Sequence, residues 1–166
     1  MLLEDSLRGV EVVRELEGAI VDVGSGGGAP GIPLAAALPE REVTLLEAER
    51  RKAEFLGRWG QELPNLRVVW GRAEEQETDR FGVALAKALA PPPVAAEWCL
   101  PLVRPRGAVV LWVGPTAARE RIRRAAEQLA AEVEPAPHGF VVLRKTAATP
   151  ERFPRRPGVA KKRPLA

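Results

Sequence analysis

Residues 20–23, Ile-Val-Asp-Val, run directly into Gly24-Ser25-Gly26-Gly27-Gly28-Ala29-Pro30-Gly31, and few folds accommodate that junction. The first four residues are largely apolar and β-branched, as in a parallel strand buried on both faces. Glycines follow where a backbone must turn tightly or approach a ligand. Residues 30–38 are apolar and alanine-rich and read as a helix, with Pro30 and Pro33 confined to its first turn, where proline is tolerated. Strand, glycine turn and helix N-terminus form the nucleotide-binding corner of a doubly wound α/β fold, in which backbone N–H groups face the ligand.

The rest of the chain repeats the alternation. Strands are expected at 42–46, 66–70, 81–86, 107–113 and 140–144, and helices at 49–62, 94–102 and 119–134. An amphipathic piece over 1–18, with Leu3, Leu7, Val10, Val13 and Leu16 near helical spacing, is weakened by Gly9. Such an order predicts an open, mostly parallel sheet with helices on both faces, a Rossmann-like α/β fold. Ligands bind such sheets at the carboxyl ends of the strands, where Gly24, Glu47, Arg72 and Lys87 fall. All four tryptophans, Trp59, Trp70, Trp98 and Trp112, lie inside expected elements and read as core; His138 reads as a turn residue and Cys99 as a small buried group.

Glycine spacing does not name the ligand, because Gly24-x-Gly26-x-x-Ala29 also fits the loose dinucleotide pattern. Asp22 is more informative. A carboxylate at the end of the first strand would repel a pyrophosphate but suit a ligand carrying ammonium or sulfonium charge and no phosphate, such as S-adenosylmethionine. Glu47 closes the second strand about twenty residues later, where a carboxylate can accept hydrogen bonds from both ribose hydroxyls. The competing reading is an exposed acid opening the next helix, favoured there by the helix dipole. Ala73-Glu74 would lie over the adenine, or form a plain loop.

At 166 residues the chain makes one ordinary domain. No apolar run approaches the ~20 residues of a membrane span, and the N-terminus lacks the pattern of a signal peptide, so a cytoplasmic monomer with no membrane association is expected. One cysteine and one histidine exclude an internal disulfide and argue against a zinc centre, so no metal is expected. Of the 25 Lys and Arg, eight fall from Arg144 onward, whereas only one of the 22 acids does, Glu151. The chain therefore divides into a mildly acidic domain, 1–145, and a basic, proline-rich tail, 146–166. That tail is either a disordered solubility element or a polyanion contact; Phe153 and Val159 favour a segment that docks.

Taken together, the residues from Asp22 through Leu34, then Leu45-Leu46-Glu47 with Arg51-Lys52 and Phe55-Leu56, then Gly71-Arg72-Ala73-Glu74, resemble the RsmG (GidB) family. The likeness extends from Asp5-Ser6-Leu7 through Glu97-Trp98 and Pro101-Leu102 to Phe153-Pro154-Arg155-Arg156-Pro157-Gly158 and Lys162-Arg163-Pro164-Leu165. It implies a class I methyltransferase that uses S-adenosylmethionine to methylate guanine N7 in 16S ribosomal RNA, acting on the RNA or the small-subunit particle. It assigns Gly24, Ala29, Glu47, Ala73 and Glu74 to the cofactor. With the residue-level reading, the expected cofactor set becomes Asp22, Gly24, Gly26, Gly28, Ala29, Glu47, Ala48, Ala73, Glu74 and Lys87. Lys87 is also the expected catalytic residue, and Arg155, Arg156, Lys161, Lys162 and Arg163 are the expected RNA contacts.

Guanine N7 has an in-plane lone pair and no proton to remove, so alignment and electrostatics suffice and no general base is required. The departures from the family pattern fall on the substrate side: Leu2 for histidine, Gly82 for aspartate, Lys87 for arginine, Val113 for lysine, and no N-terminal helical segment. They leave open a protein that binds cofactor and RNA without methyl transfer. A dinucleotide-dependent oxidoreductase is the weaker alternative, disfavoured by Asp22 and by the lack of a hydride-relay acid beyond His138.

Overall fold

The computed structural model describes residues 2–166, with side chains from Glu4 onward, so the side chains of Leu2 and Leu3 lie outside the description. A seven-stranded sheet is ordered β3-β2-β1-β4-β5-β7-β6. Within it β1 (Ile20–Val23) is an interior strand, buried throughout, with β2 (Val43–Glu47) and β4 (Phe81–Ala86) parallel on either side. β3 (Leu66–Trp70) forms one edge, and β5 (Val103–Trp112) continues the parallel run beyond β4.

Because strand side chains alternate between faces, the sheet builds two cores. Val21, Val23, Ala84, Val109 and Leu111 face α4 (Pro92–Cys99) and α5 (Arg119–Gln128). Ile20, Leu45, Val83, Leu85 and Val110 face α1 (Leu2–Arg14), α2 (Gly31–Ala37) and α3 (Arg50–Leu56). Each such valine, leucine or isoleucine side chain removed from water stabilises the fold by about 1.5–3 kcal/mol. Gly9 does not break α1: a Cβ there would stand 2.2 Å from the Trp112 ring, so the glycine lets the helix lie on that indole, whose N–H donates to the Asp5 carbonyl at 3.0 Å.

Three expectations change. The helix expected over 119–134 stops at Gln128: Ala130 adopts φ +54°, and residues 131–134 form β6 (Ala131–Glu134). β7 (Phe140–Lys145) returns after a short turn containing His138, so it pairs antiparallel with both β6 and β5, because so short a link admits no crossover. The helix expected over 49–62 is α3 followed by a 3-10 turn, Gly57–Gln61. Two tryptophans leave the core, Trp59 at 41% exposure on that turn and Trp70 at 61% at the end of an edge strand, where Arg50 lies 5.4 Å from its ring centroid.

Residues 146–166 run back over the body. Their start is fixed by Lys145, whose buried ammonium donates to Asp79, Thr149 and the carbonyls of Leu100 and Val103 at 2.8–3.1 Å. A buried cation is tolerable only when its donors are satisfied in this way. Phe153 and Ala160 are buried, the latter in α6 (Val159–Lys162).

Candidate cofactor-binding site

A cavity of about 160 Å³ opens at the carboxyl ends of β1, β2 and β3. Gly24, Glu47, Ala48, Ala73 and Glu74, all expected from the sequence, line it together with Arg72. Leu89, Trp98 and Lys161 complete the wall from beyond β4, from α4 and from α6. Leu89 follows the same strand-end rule that singled out Lys87. Trp98, which the sequence reads as core, arrives from the last turn of α4, and its indole N–H is buried without a hydrogen-bond partner. A larger cavity, about 780 Å³, lies at the opposite end of the sheet between Glu17, Arg104, Arg106 and Arg144, and contains none of the loop residues.

Glu47 organises the cradle. Its Oε2 accepts from the Gly26 N–H and its Oε1 from the Glu49 N–H, both at 2.8 Å. The carboxylate is buried, 7% exposed, yet each oxygen keeps a lone pair for a ribose hydroxyl. Beside it the loop presents bare backbone. A Cβ at Gly27 would meet nothing within 4 Å, and one at Gly26 only a carbonyl at 3.8 Å, so both leave room for a ligand to approach the chain. An open glycine cradle, a carboxylate with free lone pairs and an apolar wall of Leu89 and Trp98 fit a nucleoside carrying a cationic amino-acid tail.

Five expected cofactor residues stand apart from the cavity lining. Asp22 shares the Ile20 face of the sheet and is 1% exposed, so its Oδ2 accepts the Gly31 N–H at 3.0 Å and ties β1 to the start of α2. Burial pushes its carboxyl up to about 7, against the hydrogen bonds from Gly31 and Ser25 and the pull of Lys87. Asp22 is thus a support beneath the loop rather than a lining group. Gly28 is buried too: with φ +99° and a would-be Cβ 2.2 Å from Ile32, it packs the loop onto α2 and α3. Ala29 is carried in the same turn, and Gly26 reaches the site through Glu47. Lys87 follows Val83 and Leu85 on the α1 side, its ammonium 3.9 Å from Asp5 and within electrostatic reach of Asp22.

The expected RNA contacts also separate. Arg155 is occupied: its guanidinium forks onto Glu97 with both contacts at 2.5 Å, so it anchors the chain instead of presenting charge. Arg156, Lys161, Lys162 and Arg163 are all exposed, and of these Lys161 lines the cavity. Gly82, where the family pattern has aspartate, has no room for a side chain, a Cβ there falling 2.1 Å from the Glu17 carbonyl. Cys99 is fully buried and its thiol pushed upward by desolvation. Among the described residues no cluster of His, Cys, Asp and Glu could hold a metal, and no helix is long and apolar enough to cross a membrane.

Residues 1–143 match the model of the GidB family, described as rRNA small subunit methyltransferase G. The chain belongs to this family. The GidB match decides between the two ligand classes that the glycine spacing left open, in favour of the methyl donor, and removes the oxidoreductase alternative. A relative from Synechococcus elongatus, Ribosomal RNA small subunit methyltransferase G, is 38% identical over 98% of this chain and 76% of its own length. Among solved structures, TYW2 of M. jannaschii in complex with AdoMet superposes with a TM-score of 0.68 at 18% identity, covering 86% of this chain and 72% of that one. The T. thermophilus 16S rRNA methyltransferase RsmC, in complex with AdoMet and guanosine, gives 0.62 at 16% identity over 90% and 40%. These two likenesses establish the class I methyltransferase fold.

Proposed function

We propose that this GidB family enzyme transfers the methyl group of S-adenosylmethionine to N7 of a guanine in 16S ribosomal RNA, as a cytoplasmic monomer. One observation carries the reading: the Glu47 carboxylate locks the Gly26 loop beside a cavity at the strand ends. When bound, the sulfonium cofactor supplies an activated methyl group. Glu47 accepts from the ribose, Ala73 and Glu74 flank the base, and the backbone around Gly24 and Gly27 carries the amino-acid half.

Asp22 acts from below the loop. Its hydrogen bond to Gly31 fixes the turn, and although burial raises its carboxyl, the bound sulfonium favours the ionised form, which attracts the ligand's positive charge. Lys87 holds the target base from the α1 side. Arg156, Lys162 and Arg163 contact RNA phosphates, which fixes orientation without reading sequence. Since N7 carries no proton, these residues need only align nitrogen, methyl and sulfur and exclude water.

Incubating the protein with 16S RNA or small-subunit particles and labelled S-adenosylmethionine, followed by nucleoside mass spectrometry, tests the reading. The expected product is N7-methylguanosine. Cofactor binding without methylated RNA in either substrate would replace the enzyme by a binding protein, and absence of cofactor binding would overturn the pocket assignment.

A further inference from the structure

The C-terminal segment reaches the rim of the cavity through three separate contacts. Arg155 grips Glu97 of α4, donating from Nε to Oε1 and from Nη2 to Oε2, and that carboxylate is only 3% exposed. The Gly158 N–H reaches Oε1 of Glu74, a cavity residue, at 3.4 Å. Lys161 lies with Nζ 5.3 Å from the centroid of the Trp98 ring, and both side chains line the cavity. Burial of Phe153 and Ala160 seats the segment firmly on the body.

These contacts gather at one end of the site. With Glu47 on the ribose, the base of the donor extends toward the end of β3, where Ala73 and Glu74 stand, and the segment arrives there. We propose that residues 153–165 form a wall of the purine end of the donor pocket, latched by Arg155 on Glu97, and that Lys161 of this wall contacts the adenine. The inference rests on the donor-pocket reading above.

The chemistry recognised is that of a purine nucleoside. Adenine offers ring nitrogens as acceptors to the Lys161 ammonium and a flat face to an apolar wall. The Trp98 indole N–H, buried without a partner, is a second donor beside the same cavity, and a slight rotation of its ring on ligand entry would give it one. The latch has its own logic. A carboxylate as buried as Glu97 is not left unpaired, so the Arg155 fork holds the wall closed, and losing it releases the segment.

The test is calorimetric titration of the full chain with S-adenosylmethionine and, separately, with 5′-methylthioadenosine, which keeps the nucleoside and lacks the amino-acid half. Lys161→Met is expected to weaken both ligands by the same factor, about fivefold to tenfold, with an unchanged melting temperature because the residue is exposed. Arg155→Met is expected to weaken both by tenfold or more. Unchanged affinity of Lys161→Met for both ligands overturns the proposal, and so does a loss confined to S-adenosylmethionine, which would put Lys161 on the amino-acid half. If Arg155→Met unfolds, Lys161→Met still decides. Failure of the unsubstituted protein to bind either ligand would instead overturn the donor-pocket reading.

Discussion

The carboxylate of Glu47 accepts the Gly26 backbone N–H at 2.8 Å, joining the end of β2 to the loop that follows β1. One side chain thereby shapes the cradle and, on the function proposed above, offers lone pairs to a ribose. Glu47→Gln retains the shape but replaces an oxygen by an amide donor that cannot accept. It is expected to weaken S-adenosylmethionine about tenfold to a hundredfold and to cost about 1–3 kcal/mol of stability. Titration calorimetry and urea unfolding read the two effects; wild-type affinity in this variant would remove Glu47 from the site.

Two neighbouring glycines are expected to fail differently. Gly28→Ala forces a Cβ to within 2.2 Å of Ile32 at φ +99°, so it should destabilise the fold by about 1–3 kcal/mol. Gly27→Leu meets open space, so it should fold with an unchanged melting temperature yet lose cofactor affinity by at least about tenfold, through the ligand surface it blocks. Tight cofactor binding by Gly27→Leu would place the ligand elsewhere.

Asp22 gives a pH dependence of defined sign. Its carboxyl rises from 3.8 to about 7 on folding, so between those values the folded state binds more protons than the unfolded one. The contribution is fully present below pH 3.8 and is lost as pH rises through 7, by about 4 kcal/mol in all. Denaturation profiles from pH 4 to 8.5 should therefore fall more steeply for the unsubstituted chain than for Asp22→Asn. Parallel profiles would show that Asp22 is ionised throughout.

RNA affinity should follow the exposed tail cations and not the latched one. Neutralising Arg156, Lys162 and Arg163 together should reduce the log–log salt slope of RNA binding by about 2–3, one counterion per phosphate contact. A filter-binding series against potassium chloride measures it; an unaltered slope would take the tail out of the RNA contact.

Much of this site could be read before folding because strand-end chemistry is local. The apolar run 20–23 with its glycines, and the acid at Glu47, each fall at the end of a strand whose own composition identifies it. A parallel sheet necessarily gathers such ends on one edge, so Gly24, Glu47 and Ala73 meet around a single cavity, as their order in the chain requires. The strand at 131–134 was not legible, since Ala131-Glu132-Val133-Glu134 continues the composition of the helix before it and becomes a strand only by pairing with β7.

The amino-acid sequence by itself thus determined the α/β alternation, the glycine cradle and the acid that closes it, because propensity and period act over a few residues. Tertiary structure alone decided which groups face the cavity. Asp22 turned under the loop because its strand parity is that of Ile20, and Trp70 was left outside because β3 is an edge. Residues 153–165 lie against the cavity through the pairing of the buried Glu97 with Arg155, 58 residues away in the chain, and through the burial of Phe153 and Ala160. Such pairings depend on burial and on distance through space, and neither is written in any local stretch of sequence.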